Sequence, residues 1–162
     1  MNSTDLNTVA PGISTEIPGL RALLRQEKYA EALTTAEALL AREPGDRELL
    51  LYVAVSQRLL DRVPEALGTL AGLEQRHPRF SRLHEERGHC LVALRQAPQA
   101  IKAFQQAVKL NHALPASWSM LAGLHRMTSQ PEDAAAAADQ VATLRKLPPE
   151  IVTATGLFMD GD

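Results

Sequence analysis

The stretch PEALGTLAGLEQRHPRFSRLHEERGHCLVALRQAPQAI, residues 64–101, opens and closes on the same phrase: Pro64-Glu65-Ala66-Leu67 returns as Pro98-Gln99-Ala100-Ile101, 34 residues later. Self-similarity at a fixed interval of this size is the mark of a chain built from stacked supersecondary units. The period extends in both directions. Ala32, Ala66, Ala100 and Ala134 are spaced by 34, and Leu33, Leu67 and Ile101 run beside them. Four places further along come Ala36, Leu70, Phe104 and Ala138, while Pro44 and Pro78 share the interval. Several columns with one period are not a product of chance.

Inside a unit the apolar spacing is helical. Leu49, Leu50, Val53, Ala54 and Leu60 fall at three- and four-residue steps on one face. A break at Asp61-Arg62-Val63 is followed by Pro64, which suits the first turn of a helix because its missing N–H has no intrahelical acceptor there. Leu67, Leu70, Ala71 and Leu73 make a second apolar face, which His77-Pro78 ends; Pro98 and Pro131 restart later second helices in the same way. No segment alternates with period two between turn residues, so the predicted class is all-α without strands. The Ala column is expected where two antiparallel helices approach closely, a small residue leaving room for a bulky one opposite.

A 34-residue helix-turn-helix unit resembles the tetratricopeptide repeat. In the fourth unit Trp118, Leu121, Ala122, Ala134 and Ala138 match that family's columns; in the third Gly88, Leu91, Ala100 and Phe104 do, and Pro44 and Pro78 take its closing proline. His125 stands in place of the usual Tyr, His112 in place of a closing Pro, and Pro18-Gly19 fall where the first helix should run. The resemblance implies an α-α superhelix, a right-handed solenoid of antiparallel helix pairs. Its units are expected near 13–46, 47–80, 81–114 and 115–148, after a disordered tail over residues 1–15. It also implies a concave wall lined by first helices. Carried over column by column, the groove candidates are Glu48, Leu51, Tyr52 and Val55 in the second unit, then Arg82, Glu85, Glu86 and His89 in the third. In the fourth they are Ser119, Met120, Gly123, Arg126 and Met127. The family's two-carboxylate clamp for chaperone tails needs Lys and Asn at set groove places. Leu51, Val55, Glu86 and Ser119 lie around those places here, so no binding of such tails is expected.

After Pro148-Pro149 the segment 150–159 reads as another helix, with Ile151, Val152, Leu157, Phe158 and Met159 apolar. It fits either a cap docked on the fourth unit or, preferred here, the first helix of an unfinished fifth unit in a longer protein, since an uncapped repeat end is sticky. The stretch LPPEIVTATGLFMDGD (147–162) resembles segments that join such repeats to a C-terminal sulfotransferase domain in bacterial proteins. Any catalysis would then lie beyond Asp162.

Composition narrows the function classes. With 17 Lys+Arg against 19 Asp+Glu the formal charge is -2, without the basic excess of a nucleic-acid binder. One Trp, two Tyr and three Phe are too few for a base-stacking platform. The N-terminus has no secretory pattern, and Ala134–Ala138 is far short of the ~20 apolar residues a membrane span needs. A cytoplasmic setting is expected. His84 and His89 lie five apart on different faces, and His112 and His125 sit on different helices, so no metal or other cofactor is expected. Cys90 is single, and a lone helical cysteine is a packing residue. The reading is a non-catalytic scaffold that binds a protein or peptide in its groove. The alternative is an accessory, substrate-presenting region of a larger sulfotransferase-type enzyme, self-associating through its terminal helices.

Overall fold

The computed structural model describes residues 13–161; residues 1–12 of the expected tail lie outside them. Among the described residues there are nine helices and no strand: α1 (Ile13–Arg25), α2 (Tyr29–Arg42), α3 (Arg47–Leu59), α4 (Val63–Arg76), α5 (Ser81–Ala93), α6 (Ala97–Leu110), α7 (Pro115–Met127), α8 (Pro131–Arg145) and α9 (Pro149–Asp160). The fold is an all-α helical-repeat solenoid. Residues Ile13, Ser14 and Thr15, expected in the tail, belong to α1. That helix runs through Pro18, where φ is already helical and a single backbone bond is given up near the N-terminal end.

Helix starts follow from local chemistry. The Asp46 carboxylate accepts from the Leu49 N–H at 2.8 Å and caps α3. Proline occupies the first turn of α4, α6, α7, α8 and α9. The turns inside the helix pairs repeat almost dihedral for dihedral. Glu27, Asp61, Arg95 and Ser129, 34 residues apart, have φ of 58°, 62°, 58° and 59°. The next N–H in each turn reaches back across the helix end: Lys28 to Leu23 O, Arg62 to Gln57 O, Gln96 to Leu91 O and Gln130 to His125 O. This is the Schellman closure with a non-glycine residue at its left-handed position. The closing bonds and the packing of both helices hold that residue where a Cβ is disfavoured.

Packing explains the Ala column. Ala32, Ala66, Ala100 and Ala134 are all buried. A second pair of positions, 16 residues apart, trades volume from unit to unit: Leu20 with Ala36, Ala54 with Leu70, Gly88 with Phe104. Leu20 and Ala36 share one apolar cluster, and Ala54 and Leu70 share the next. At Gly88 the exchange is extreme, because a Cβ there would lie 2.7 Å from the Phe104 ring. Ala138 departs from its column: the structure buries Ala137 instead and leaves Ala138 exposed, since α8 packs chiefly on α7 and its far side is open. Three apolar clusters follow one another along the stack, each at a junction of successive helices. Each unit thus completes its neighbour's core.

The last helix does not pack on α8 in the way that α3 packs on α2, α5 on α4 and α7 on α6. It crosses the loops that precede α7, α5 and α3. The Asn111 Nδ2 donates to Gly156 O at 2.9 Å, Asp160 Oδ1 accepts from the Ser81 N–H at 3.0 Å, and Arg47 Nη1 donates to Asp160 O at 2.7 Å. Asp160 therefore supplies, from 79 residues away, the side-chain cap that Phe80 cannot give α5.

Candidate functional site

The helices expected to line the inner wall, α3, α5 and α7, carry matching residues one unit apart, and α3 and α5 touch directly. In the middle of the wall the expected groove residues pair with one another. Arg82 Nη1 donates to Glu48 Oε2 at 2.7 Å, joining the same column of two adjacent units. Arg58 holds both oxygens of Glu86 in a forked ion pair. Ser117 Oγ donates to Glu85 Oε1 at 2.8 Å, and Arg21 Nε donates to the Tyr52 hydroxyl at 2.7 Å. Each bond ties one unit to the next.

These contacts set the protonation balance. Burial raises the Glu86 carboxyl above its ordinary range, opposed by Arg58. Burial raises Glu85 likewise, opposed by Ser117 and Arg82. Burial works against the charge of Arg82, yet Glu48 and Tyr52 hold the guanidinium above its usual value. His89 stacks edge-on against Phe104, ring centroids 5.2 Å apart, and burial, with Arg58 nearby, lowers its imidazole to about 4. The Cys90 thiol is pushed up to about 12, first by burial and then by Glu86, and remains protonated. His84 is buried beside Pro78 O, and His125 Nδ1 meets Gln130 Oε1 at 2.7 Å. Among the described residues no three His, Cys, Asp or Glu side chains group to hold a metal ion, and no helix is long and apolar enough to cross a membrane.

Leu51, Tyr52 and Glu86, expected to face a ligand, are instead buried. Leu51 belongs to the core between α3 and α5, Tyr52 to the core below α1, and Glu86 is closed off by Arg58. Glu48, Val55, Arg82, Glu85 and His89 are half-buried, with the charged ones among them engaged. Reading the sequence passed over Arg58, Ser117 and Arg21. Arg58 lies three residues beyond Val55, so extending the same helix face by one turn reaches it.

The fourth unit presents a different wall. Ser119, Arg126 and Met127 are exposed, Met127 at 80%, and Met120 is half-buried beside them. The column that carries Val55 and His89 ends in Gly123, whose added Cβ would meet nothing within 4 Å. The wall recedes there and offers two flexible thioethers and a guanidinium. Such a surface adapts to varied apolar groups and can pair with a carboxylate.

The fold has solved counterparts. TTC0263, a thermophilic tetratricopeptide-repeat protein of Thermus thermophilus, superposes with a TM-score of 0.72 at 21% identity, over 86% of this chain and 77% of that one. MamA 41-end from Desulfovibrio magneticus RS-1 gives 0.66 at 20% identity, over 78% and 72%. A MamA RS-1 double mutant gives 0.65 at 20%, over 78% and 71%. No curated protein matches the chain. The sequence model of the tetratricopeptide repeat matches residues 20–79 and 85–151, most of the chain. With the 34-residue period and the stacked helix pairs already described, the chain belongs to the tetratricopeptide repeat family.

Proposed function

We propose that the chain is a non-catalytic protein-interaction scaffold that takes an extended peptide or a partner helix along its inner wall. The ligand's apolar anchor sits against Met120, Gly123 and Met127, and Arg126 pairs with a nearby carboxylate. The observation that carries this is the disappearance of side-chain volume along the column Val55, His89, Gly123. A glycine in the middle of a helix costs about 0.5–1 kcal/mol relative to alanine. Unlike Gly88, Gly123 has no facing ring to excuse it. The paired charges of the second and third units make the rest of the wall a fixed support. The proposed setting is cytoplasmic, where the single buried Cys90 stays a thiol.

Selection of binders from a random peptide library on the purified chain tests the reading. Met127→Glu and Gly123→Leu are expected to weaken selected peptides at least tenfold with an unchanged helical signal, and Arg126→Glu to weaken the acidic ones. Tight binders that ignore all three changes would overturn the groove assignment.

A second reading, self-association through the terminal helices, is favoured by one observation: α9 turns an apolar face to solvent. Ile151 is 53% exposed, Leu157 43% and Phe158 80%.

A further inference from the structure

The outer side of the stack carries troughs between successive second helices, and two of them have opposite chemistry. Between α4 and α6 the floor comes from α5, where Arg87 forks onto Glu74 with bonds of 3.1 and 2.6 Å. The trough is a cavity of about 400 Å³ whose floor carries its own ion pair. Between α6 and α8 the same positions, one period on, are Leu121 and Val108, and His84 of the first floor is replaced by Trp118. This second trough is an open cavity of about 420 Å³ with an apolar floor. Its rims carry Lys109 on α6 and Asp133 on α8, with Lys102 at the adjoining end of the α6 rim, and neither lysine has an ion-pair partner among the described residues.

The counterpart is on the same chain. α9 docks through its polar end, Asp160 and Gly156, and turns Ile151, Ala154, Leu157 and Phe158 outward as one stripe. Glu150 heads that stripe and has no ion-pair partner among the described residues. From Ile151 to Phe158 is seven residues of helix, roughly 10 Å. Trp118 to His125 along the floor, and Lys102 to Lys109 along the rim, are also seven residues. Ridge and trough therefore match in length and in apolar character, and Glu150 is opposite in charge to Lys109.

We infer that a second copy of this chain lays the outer face of its α9 into the α6/α8 trough, with Glu150 against Lys109. The inference rests on the self-association reading and adds the surface that receives the helix. Two such contacts related by a two-fold axis make a closed pair, the commonest symmetry of soluble oligomers. One helix ridge per copy is below the ~800 Å² per partner of a standard interface, so the pair is a weak one that forms in the micromolar range.

Sedimentation of the full chain across that concentration range tests it. Phe158→Ala, which shortens an exposed side chain, is expected to raise the dissociation constant about thirty-fold, as loss of an interface hot spot does. Ala136→Glu, at an exposed place lining the trough, is expected to do the same with an unchanged helical signal. An equimolar mixture of the two variants restores one contact per pair, the intact ridge of one meeting the intact trough of the other. A mixed dimer tighter than either variant alone is the expected result. A strict monomer at all concentrations would overturn both this inference and self-association. Association that ignores Ala136→Glu would overturn the trough while leaving self-association standing.

Discussion

The middle of the inner wall and its fourth-unit end are made from the same helix positions and do opposite things. In the middle, Glu48 meets Arg82, Glu86 meets Arg58 and Glu85 meets Ser117, so each charge that could greet a ligand is spent on the neighbouring unit. At the end, Met120, Gly123, Arg126 and Met127 have no such side-chain partners among the described residues, on a wall that has lost volume. A repeat architecture supplies the same places again and again. Which of them stay open is decided by whether the adjacent unit has already satisfied them. The difference teaches that a column carried over from a family names a place and not a role.

The sharpest way to break the tight middle is at Gly88. Gly88→Ala puts a methyl group onto the Phe104 ring and is expected to destabilise the chain by about 2–3 kcal/mol in urea unfolding. Gly88→Ala combined with Phe104→Leu rebuilds the Ala54–Leu70 arrangement of the second unit and is expected to recover most of the loss. If the double variant is as unstable as the single one, volume exchange between these positions is not what sets the unit spacing.

Arg58→Ala comes next. It leaves the Glu86 carboxylate buried without its cation and is expected to cost about 2 kcal/mol at pH 7. The loss should shrink as the pH falls, because Glu86, already held above the ordinary glutamate range by burial, escapes by taking a proton. A loss independent of pH would mean that the pair is solvated.

Titration separates the groups of the middle wall further. Burial holds Glu85 and Glu86 above the ordinary glutamate value, so the folded state keeps their protons more readily and their contribution falls as pH rises through that range. His89 runs the other way. Its imidazole is lowered to about 4, so the unfolded chain takes up its proton first and stability is lost as pH falls from about 6.5 toward 4. His89→Leu is expected to reduce that acid loss by of order 1 kcal/mol, read from unfolding midpoints at pH 7 and pH 4.5. An unchanged acid limb would place the sensitive group elsewhere.

The smallest expected effect is a gain. Asp61→Gly or Arg95→Gly removes a Cβ from a left-handed turn and is expected to stabilise by about 0.5–1 kcal/mol in thermal unfolding. A loss would show that these side chains, and not the closing backbone bonds, hold the turns.

How much of this was legible follows from which contacts have a period. The Ala32–Ala66–Ala100–Ala134 column and the proline starts are local and repeat with the chain, so the all-α class and the helix pairs could be read directly. The left-handed turns could not, because Glu27, Asp61, Arg95 and Ser129 share a backbone state and no residue type. The cross-unit pairs were hidden too: Arg58–Glu86, Arg21–Tyr52 and Ser117–Glu85 are 28, 31 and 32 residues apart, off the 34-residue register. The apolar stripe of α9 announces a helix, but its position is set by a few polar atoms of Asn111, Arg47 and Asp160. No spacing rule reports those.

Hydrogen exchange of the full chain, with and without the tightest peptide selected from a random library, measures where a ligand lies. The account predicts new protection concentrated in α7, from Ser119 to Met127, with α3 and α5 changing little because their inner faces are already bonded to each other. Protection centred on α3 and α5, with α7 unaffected, would contradict it.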